Sequence, residues 1–249
     1  MVSLVGNRVH HLLSEIGLFV RFIVHVLQVP PHWRSTSEQM VELGLGSLPI
    51  VFLASMLTGF IATWQVHAVA GDMGGMALLG MMVMKVVFSE LGPTLIGLVL
   101  AGRIGAKVSS ELGSMRVTEQ IDAYTTLSLN PMRYILSPRI YAAVLTMPML
   151  FIYGSLTAIV SSQILATVVF NLPAAQFYGS MREGFDSHLI LVGFVKSSSF
   201  SVVTVFLSAY HGFYTTQGAV GVGKATRTAV VAATIAILMI NFFLSKVMF

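Results

Sequence analysis

The sequence predicts an all-α integral membrane protein with an N-terminal interfacial amphipathic helix, five transmembrane helices and a short cytoplasmic coupling helix. Of its 249 residues, 55% are hydrophobic and only 10% are charged, whereas an ordinary soluble domain has about 25% charged residues. The mean hydropathy is +0.84. Five apolar stretches are also long enough to cross a bilayer, which takes about 20 residues. Because lipid offers the backbone no hydrogen-bond partner, each of these stretches has to be helical.

The predicted spans account for most of the chain between residues 44 and 248. They are expected at residues 44–66, 76–100, 140–170, 187–211 and 228–248. The third stretch exceeds the length that a bilayer requires, so it is expected to tilt or to extend into water. No internal repeat or separate soluble domain is visible, and residues 1–249 are therefore predicted to form one domain.

The N-terminal residues, 1–31, differ from the spans. Their apolar residues recur every three or four positions, as in an amphipathic helix, but Arg8, Glu15 and Arg21 interrupt the run. Pro30 and the proline after it are expected to end the helix. This pattern predicts a helix that lies in the membrane interface. A sixth, weakly hydrophobic span is the alternative.

The basic residues predict the orientation of the spans. With the N-terminus in the cytoplasm, most of the 14 Lys and Arg residues fall in cytoplasmic segments, and the external segments hold only Arg182 and Lys246. Lys85 and Lys196 lie inside spans. Since positive charge concentrates on the cytoplasmic side of membrane proteins, the N-terminus is predicted to be cytoplasmic. Five spans then place the C-terminus outside.

The longest polar segment, residues 102–139, lies between the second and third predicted spans on the cytoplasmic side. Within it, residues 110–128 are expected to form a short amphipathic helix at the membrane edge, and Asn130–Pro131 is a plausible end. The apolar face of this helix is expected to contain Val117, Ile121, Tyr124 and Leu127. The pattern alone fits either a docking surface for a partner or an ordinary solvated helix.

Three ionisable residues lie inside predicted spans: Lys85, Glu90 and Lys196. Each costs about 2.5–3.5 kcal/mol at the centre of a membrane helix, so each requires an explanation. Lys85 and Glu90 are five residues apart and are expected on different helix faces. Glu90 and Lys196 can pair between helices, or each can line a polar cavity. A purely structural ion pair is the third possibility, and a functional role is favoured.

The residues after Glu90 predict how this carboxylate is placed. Pro93 removes one backbone hydrogen bond and is expected to kink the helix. The carbonyl that it frees is tolerated in a membrane only against protein or water. Glu90 is therefore expected to face the bundle interior or a cavity. Further along, Gly97, Ala101 and Gly105 form a ridge of small residues that lets another helix approach closely.

Residues 218–226 (GAVGVGKAT) partly match a phosphate-binding loop. However, Ala225 stands where Ser or Thr would hold magnesium, and the segment joins two membrane helices instead of opening a helix in an α/β domain. It is predicted to be a short cytoplasmic turn anchored by Lys224 and Arg227. No nucleophile with its base and no metal-ligand spacing is found, so no catalytic residue, cofactor or metal site is predicted in this chain.

Three stretches closely resemble the MlaE (YrbE) permease family: SELGPTLIGLVLAGRIGAKVSSELGSMRVTEQIDAY, NPMRYILSPR and KATRTAVV. The resemblance covers residues 40–249. It implies a permease of the bacterial inner membrane, within an ABC transporter that moves phospholipids between the inner and outer membranes and maintains outer-membrane lipid asymmetry. The partners that it implies are a second copy of the chain, a cytoplasmic ATPase dimer that binds ATP and Mg²⁺, and a periplasmic MCE-domain lipid-binding protein. Nucleic acid is not an expected partner.

The resemblance also implies roles for individual residues. Glu90 matches the glutamate of the family's E-L-G-P motif, and Lys196 matches a lysine in the fourth span. Together with Pro93 and Lys85, they are expected to shape or gate the lipid cavity. Coupling to the ATPase through the short cytoplasmic helix is assigned to five residues of the family signature. These residues are Arg103, Glu111, Arg116, Glu119 and Asp122.

Two positions depart from some members of the family. Ser89 stands where some relatives carry an arginine, and Asn241 stands where some carry an acidic residue. These differences leave the headgroup preference open. Phospholipid is the expected cargo, sterol is the alternative, and the direction of transport is not predicted.

A second class of function also fits the buried charges. Glu90 and Lys196 could serve a secondary transporter or channel that is coupled to protons or ions, with a gradient instead of ATP as its driving force. Against this alternative, the sequence shows no inverted repeat and no paired broken helices. An intramembrane enzyme is a third class, but it would need a nucleophile and a base that the sequence does not provide.

Overall fold

The structure is a computed structural model that describes residues 17–24, 26, 28–70 and 75–248. Within these residues all regular structure is helical. Five helices in this part of the chain are long and apolar enough to cross a membrane. They are span 1 (Trp33–Val69), span 2 (Gly75–Val117), span 3 (Met132–Phe170), span 4 (Ser187–Phe213) and span 5 (Gly218–Met248).

The five predicted stretches each fall within one of these helices, which confirms the all-α membrane architecture. The helices are longer than predicted: span 1 already begins at Trp33, and span 2 continues to Val117. The prediction followed apolar residues only. Polar residues extend a helix beyond the apolar core when no proline or left-handed residue interrupts the backbone, so hydropathy underestimates helix length.

The predicted N-terminal amphipathic helix falls only partly on described residues, because residues 1–16 lie outside them. Residues 17–24 are helical. Phe22 is buried, and the rings of Phe19 and Phe22 meet the Tyr210 ring edge-on, with ring centroids 5.3 and 5.8 Å apart. The apolar face of this segment therefore packs against the end of span 4 that is predicted to be cytoplasmic.

Spans 1 and 3 approach each other closely at Gly59. A Cβ atom on Gly59 would lie 2.2 Å from the Ala158 carbonyl oxygen of span 3. The Ser162 hydroxyl of span 3 donates a hydrogen bond of 3.0 Å to the Gly59 carbonyl. Only glycine lets the two backbones come this close, as is common between membrane helices.

The ridge of small residues on span 2 packs against span 4, as predicted for a closely approaching helix. A Cβ atom on Gly97 would lie 2.9 Å from the Phe200 ring, and one on Gly105 would lie 2.9 Å from the Ser208 hydroxyl. Ala101 between them is fully buried. The partner helix therefore belongs to the same chain.

The helix predicted at residues 110–128 is wrong in its extent. Residues up to Val117 continue span 2, and a separate helix, Gln120–Thr126, follows. Glu119 separates the two because its backbone is left-handed, with φ of 59°, a conformation that cannot continue a right-handed helix. Ile121 is buried against the bundle, whereas Leu127 is exposed, so only part of the predicted apolar face packs.

A short helix between spans 3 and 4, Ala174–Glu183, was not predicted. Phe177 is fully buried at its centre. A Cβ atom on Gly80 of span 2 would lie 2.1 Å from the Phe177 carbonyl, so this helix packs tightly against the start of span 2. The sequence does contain a signal for it, because Pro173 precedes the helix and Gly184 follows it.

The segment that resembles a phosphate-binding loop is helical, so the prediction of a turn at residues 218–226 is wrong. Positive φ angles at Gln217 and Gly218 end the connection, and span 5 begins at Gly218. The backbone N–H groups beyond the first turn are then used within the helix. Residues 218–226 therefore lack the open loop that would cradle a phosphate.

Candidate functional site

Span 2 changes its hydrogen-bonding pattern around Glu90. Residues Val87–Leu91 form a π-helical turn, in which the Gly92 N–H donates to the Val87 carbonyl five residues back. The α-helix resumes with Gly92–Leu100, and Pro93 lies in its first turn. The sequence predicted a disturbance by the proline but not the π-helical turn before it. Such turns occur frequently at functional sites.

Pro93 and Lys196 are linked through a single carbonyl group. In a regular α-helix the N–H of residue 93 would donate to the Ser89 carbonyl, but proline has no N–H. The Lys196 ammonium of span 4 donates to this carbonyl instead, at 2.8 Å. The backbone group that proline leaves free in the membrane is thereby hydrogen-bonded, as an apolar medium requires.

Lys196 has no exposed surface, and three acceptors among the described residues hold its ammonium group. Besides the Ser89 carbonyl, it donates to Glu90 Oε1 at 2.7 Å and to Ser245 Oγ at 2.7 Å. An ammonium group has three N–H donors, and the described residues offer one acceptor for each of them. Charge pairing together with hydrogen bonding is what makes a buried lysine tolerable.

Glu90 joins span 2 to both span 4 and span 5. Its Oε1 atom accepts from Lys196 and from Ser245 Oγ, the latter at 2.8 Å, and its Oε2 atom accepts from Asn241 Nδ2 at 3.3 Å. The side chain is 39% exposed. The interhelical pair of Glu90 and Lys196 that the sequence allowed is therefore present, and Glu90 is the half-exposed member.

The cluster contains two residues of span 5 with roles that the sequence did not reveal. Asn241 was noted only as a departure from some relatives, and Ser245 was not identified. The two are four residues apart, so they lie one above the other on one face of an otherwise apolar helix. This spacing is the signal that could have found them. We call Glu90, Lys196, Asn241 and Ser245 the charged cluster.

The other two residues predicted for the cavity are placed differently. Pro93 is buried beside the charged cluster and acts on it through the Ser89 carbonyl. The Lys85 side chain is exposed on the surface of the chain, and the hydrogen bonds of the charged cluster do not involve it. Its carbonyl accepts from the Ser89 hydroxyl at 2.5 Å. The structure thus brings Glu90, Lys196 and Pro93 together but not the Lys85 ammonium.

The residues predicted for ATPase coupling lie at the opposite end of span 2. Arg103 sits in a second π-helical segment, Ala101–Gly105. Its Nε atom donates to Ser47 Oγ at 3.2 Å, and its Nη2 atom donates to the Gly46 carbonyl. Arg103 therefore fastens span 2 to span 1.

Glu111 belongs to a chain of ion pairs that connects three spans. Its carboxylate lies 3.2 Å from Arg139 Nε on span 3 and 3.8 Å from Lys107 Nζ on span 2. Lys107 in turn binds Glu42 of span 1. These partly exposed pairs are individually weak, but together they hold spans 1, 2 and 3 in one arrangement at this end.

The last three coupling residues lie around the break after span 2. Arg116 Nη1 and Asp122 Oδ1 are 2.6 Å apart, so an ion pair bridges the break and holds helix Gln120–Thr126 against span 2. Glu119, at the break itself, is exposed. Four of the five coupling residues therefore form contacts within the chain, and their role toward an ATPase stays a prediction.

Apolar grooves lie on other faces of the described bundle. One of about 450 Å³ lies between the N-terminal helical segment and spans 3, 4 and 5, and one of about 320 Å³ lies between spans 1 and 3. Neither groove is lined by Glu90 or Lys196. We place the candidate site at the charged cluster, because buried charge inside a membrane marks function more specifically than apolar volume does.

Comparison with known proteins identifies the family. The sequence profile described as "Permease MlaE" matches residues 36–247. A probable ABC transporter permease protein of Rickettsia typhi is 30% identical over 253 residues, which cover 100% of this chain and 98% of the relative. A probable ABC transporter permease protein of Synechocystis is 32% identical over 238 residues, covering 96% and 90%.

A third relative carries a more specific name. The intermembrane phospholipid transport system permease protein MlaE of Haemophilus influenzae is 28% identical over 253 residues, which cover 100% of this chain and 97% of the relative. The matches extend over almost the whole chain and include the spans that form the charged cluster. The chain therefore belongs to the MlaE family of ABC transporter permeases, as its motifs predicted.

Proposed function

We propose that this chain moves phospholipids between the inner and outer membranes of a Gram-negative bacterium and thereby maintains outer-membrane lipid asymmetry. It lies in the inner membrane with its N-terminus in the cytoplasm and its C-terminus in the periplasm. The observation that carries the proposal is the charged cluster, which holds Glu90 half-exposed within an apolar bundle of this family. The name of the Haemophilus influenzae relative supports phospholipid as the cargo.

The chain works as a homodimer with separate partners on each side of the membrane. A cytoplasmic ATPase dimer binds ATP and Mg²⁺, and a periplasmic MCE-domain protein accepts or delivers the lipid. The helical conformation of residues 218–226 supports placing ATP on another chain. The exposed segment around Glu119 supports docking at the end of span 2.

The charged cluster gives the proposed transport cycle a physical gate. Span 5 contributes Asn241 and Ser245, whereas spans 2 and 4 contribute Glu90 and Lys196. If span 5 moves away from span 2, Glu90 loses the contacts from span 5 but keeps Lys196. The carboxylate then becomes more exposed without leaving a buried charge unpaired, which keeps the cost of opening low.

One observation favours a second candidate function. Glu90 and Lys196 form an ionisable pair inside the membrane, an arrangement that proton- and ion-coupled transporters use. In that case transport would follow an ion gradient and would not require a partner ATPase.

The proposal is tested by gentle purification of the tagged chain from its native membrane, followed by mass spectrometry of proteins and lipids. We expect an ATPase, an MCE-domain protein and bound phospholipid to accompany the chain. If the chain is recovered alone in several detergents, the proposal that an ATPase and an MCE-domain protein are its partners is wrong. The gradient-driven alternative then becomes the function to test.

A further inference from the structure

A small polar pocket lies between spans 1 and 2, at the end of span 2 that is predicted to be cytoplasmic. Its volume is about 160 Å³, and it is lined by Glu42, Leu43, Ser47, Arg103, Ile104 and Lys107. Residues 91–102 carry no charge, so Arg103 is the first charged residue after the apolar part of span 2. This position places the pocket where the membrane interior meets the lipid headgroups.

Arg103 brings a positive charge to the pocket that no carboxylate balances directly. Its Nε atom donates to Ser47 Oγ at 3.2 Å and its Nη2 atom donates to the Gly46 carbonyl, and both acceptors are neutral. Among the described residues, no carboxylate lies within ion-pair distance of its guanidinium group. A guanidinium group has five N–H donors. The two on Nη1 are therefore left for a ligand, and the side chain is exposed.

Two further side chains keep hydrogen-bond donors at the pocket. Ser47 is only 1% exposed, and its hydroxyl oxygen accepts from Arg103, but the described part of the chain offers its O–H no acceptor. The Lys107 ammonium donates to Glu42, whereas Glu111 lies 3.8 Å from it, too far for a hydrogen bond. Ser47, Arg103 and Lys107 thus each retain at least one donor.

The charges around the pocket favour an anionic ligand. Lys107 balances Glu42, and Arg139 balances Glu111, which leaves the charge of Arg103 in excess. A phosphate group supplies a negative charge and several acceptor oxygens, and its geometry matches the fork of a guanidinium group. The pocket therefore has the donors and the surplus charge that a phosphate group requires.

The surface that leads away from the pocket is apolar. Ile50, Leu53 and Leu57 follow Ser47 along span 1 at steps of three or four residues, and their exposed fractions are 40%, 55% and 54%. This apolar stripe runs from the pocket toward the membrane centre. An acyl chain can cover the stripe, whereas a soluble phosphate cannot. Basic pockets between membrane helices on the cytoplasmic side bind the headgroups of anionic lipids.

We infer that Ser47, Arg103 and Lys107 bind the phosphate group of an anionic phospholipid from the cytoplasmic leaflet, with one acyl chain along the apolar stripe. This lipid is a resident ligand and not the cargo, so the inference goes beyond the proposed function and shares with it only the predicted orientation. The bound phosphate links span 2 to Ser47 of span 1. It therefore reinforces the contact that Arg103 already makes between the two spans.

The test compares phosphatidylglycerol with phosphatidylcholine, in equal amounts and with identical acyl chains, on the purified full-length chain in detergent. Both lipids carry a phosphate, but the trimethylammonium group of phosphatidylcholine cancels its negative charge. Native mass spectrometry should show roughly tenfold more retained phosphatidylglycerol, the factor given by one hydrogen bond between charged groups. Arg103→Gln should abolish this preference. Arg227→Gln, which removes an exposed arginine at the same end of the bundle, is the control and should keep it.

A second measurement uses the unmodified chain, because Arg103→Gln also removes contacts between spans 1 and 2. Phosphatidylglycerol with a photoreactive group in its acyl chain should label span 1 within residues 43–57, which contain the apolar stripe. Labelling confined to other parts of the chain would overturn the location of the site.

The remaining outcomes are equally decisive. Equal retention of the two lipids would overturn the inference, and so would equal loss of the preference in the Arg103 and Arg227 variants, since diffuse surface charge would then explain the binding. If inorganic phosphate displaces phosphatidylglycerol, the site binds soluble phosphate and the assignment to a lipid is wrong. The assay contains no ATP, so none of these results bears on the proposed transport.

Discussion

At the scale of single residues, Pro93 and Lys196 explain each other. A proline in a membrane helix leaves a carbonyl without a donor, and a lysine there needs acceptors. The Ser89 carbonyl meets both needs, because it is the group that Pro93 cannot bind and Lys196 does. Glu90 then balances the charge of Lys196. In the charged cluster, each group therefore supplies the hydrogen bond or the charge that a neighbouring group needs inside the membrane.

This interdependence predicts non-additive mutations. Lys196→Met keeps the volume of the side chain but leaves Glu90 without the ammonium, and should destabilise the protein by about 3 kcal/mol. Glu90→Gln should be similarly harmful, because it leaves the fully buried Lys196 charged. Combining Glu90→Gln with Lys196→Met should cost less than the sum of the single changes. Thermal unfolding in detergent measures the three variants.

A control substitution on span 4 distinguishes the loss of the ion pair from a general sensitivity of span 4 to mutation. Among the described residues, the Ser198 hydroxyl donates only to the Phe194 carbonyl of its own helix, so Ser198→Ala should change stability little. If the losses of stability from the Glu90 and Lys196 substitutions add strictly, the two side chains do not stabilise each other as a pair.

At the scale of helices, glycines set the distances between spans. Gly59 is the clearest example, because backbone and side-chain atoms of span 3 occupy the position that a Cβ would take. Gly59→Ala should therefore force spans 1 and 3 apart and cost about 2 kcal/mol. The measurement is the midpoint of thermal unfolding in detergent.

Gly223 in span 5 provides the matched control for Gly59. A Cβ atom there would meet nothing within 4 Å, and alanine favours helices over glycine. Gly223→Ala should leave the midpoint unchanged or raise it slightly. Equal losses in the two variants would mean that close packing at Gly59 does not hold spans 1 and 3 together.

The prediction about ATPase docking concerns the break after span 2. Glu119 is exposed in a left-handed turn, so Glu119→Lys changes surface charge while keeping the ion pair of Arg116 and Asp122. We expect it to weaken binding of the ATPase in a pull-down while bound lipid is retained. Glu183→Lys, at the end of helix Ala174–Glu183, is the control and should have no effect. Normal ATPase binding by the Glu119 variant would argue against docking at this turn.

At the scale of the whole molecule, the sequence predicted what depends on composition and spacing. Five apolar stretches predicted the spans, and the small-residue ridge from Gly97 to Gly105 predicted a close helix contact. The ion pair of Glu90 and Lys196 could be proposed because charges in apolar runs are rare. These features follow from local chemistry, since a membrane leaves few alternatives.

Features that depend on tertiary contacts were not predictable in the same way. The π-helical turn before Pro93 changes the hydrogen-bonding pattern of the backbone, and the hydropathy of the sequence does not reveal such a change. Helix Ala174–Glu183 is too polar to appear as a span, and it is held by Phe177, which packs against span 2. The partners of Arg103 and Glu111 lie far away in sequence. Polar segments gain their structure from the bundle, so they appear only when the bundle is assembled.

The central claim is that this chain and its partners move phospholipid at the expense of ATP, with the charged cluster as part of the path. The most direct measurement is phospholipid transfer by the reconstituted complex, with and without ATP and with and without an imposed proton gradient. We predict that phospholipid transfer requires ATP and does not depend on the proton gradient. Transfer should also be lost when Glu90 is replaced by Gln in a complex that still assembles. Transfer that follows the gradient without ATP would contradict the claim.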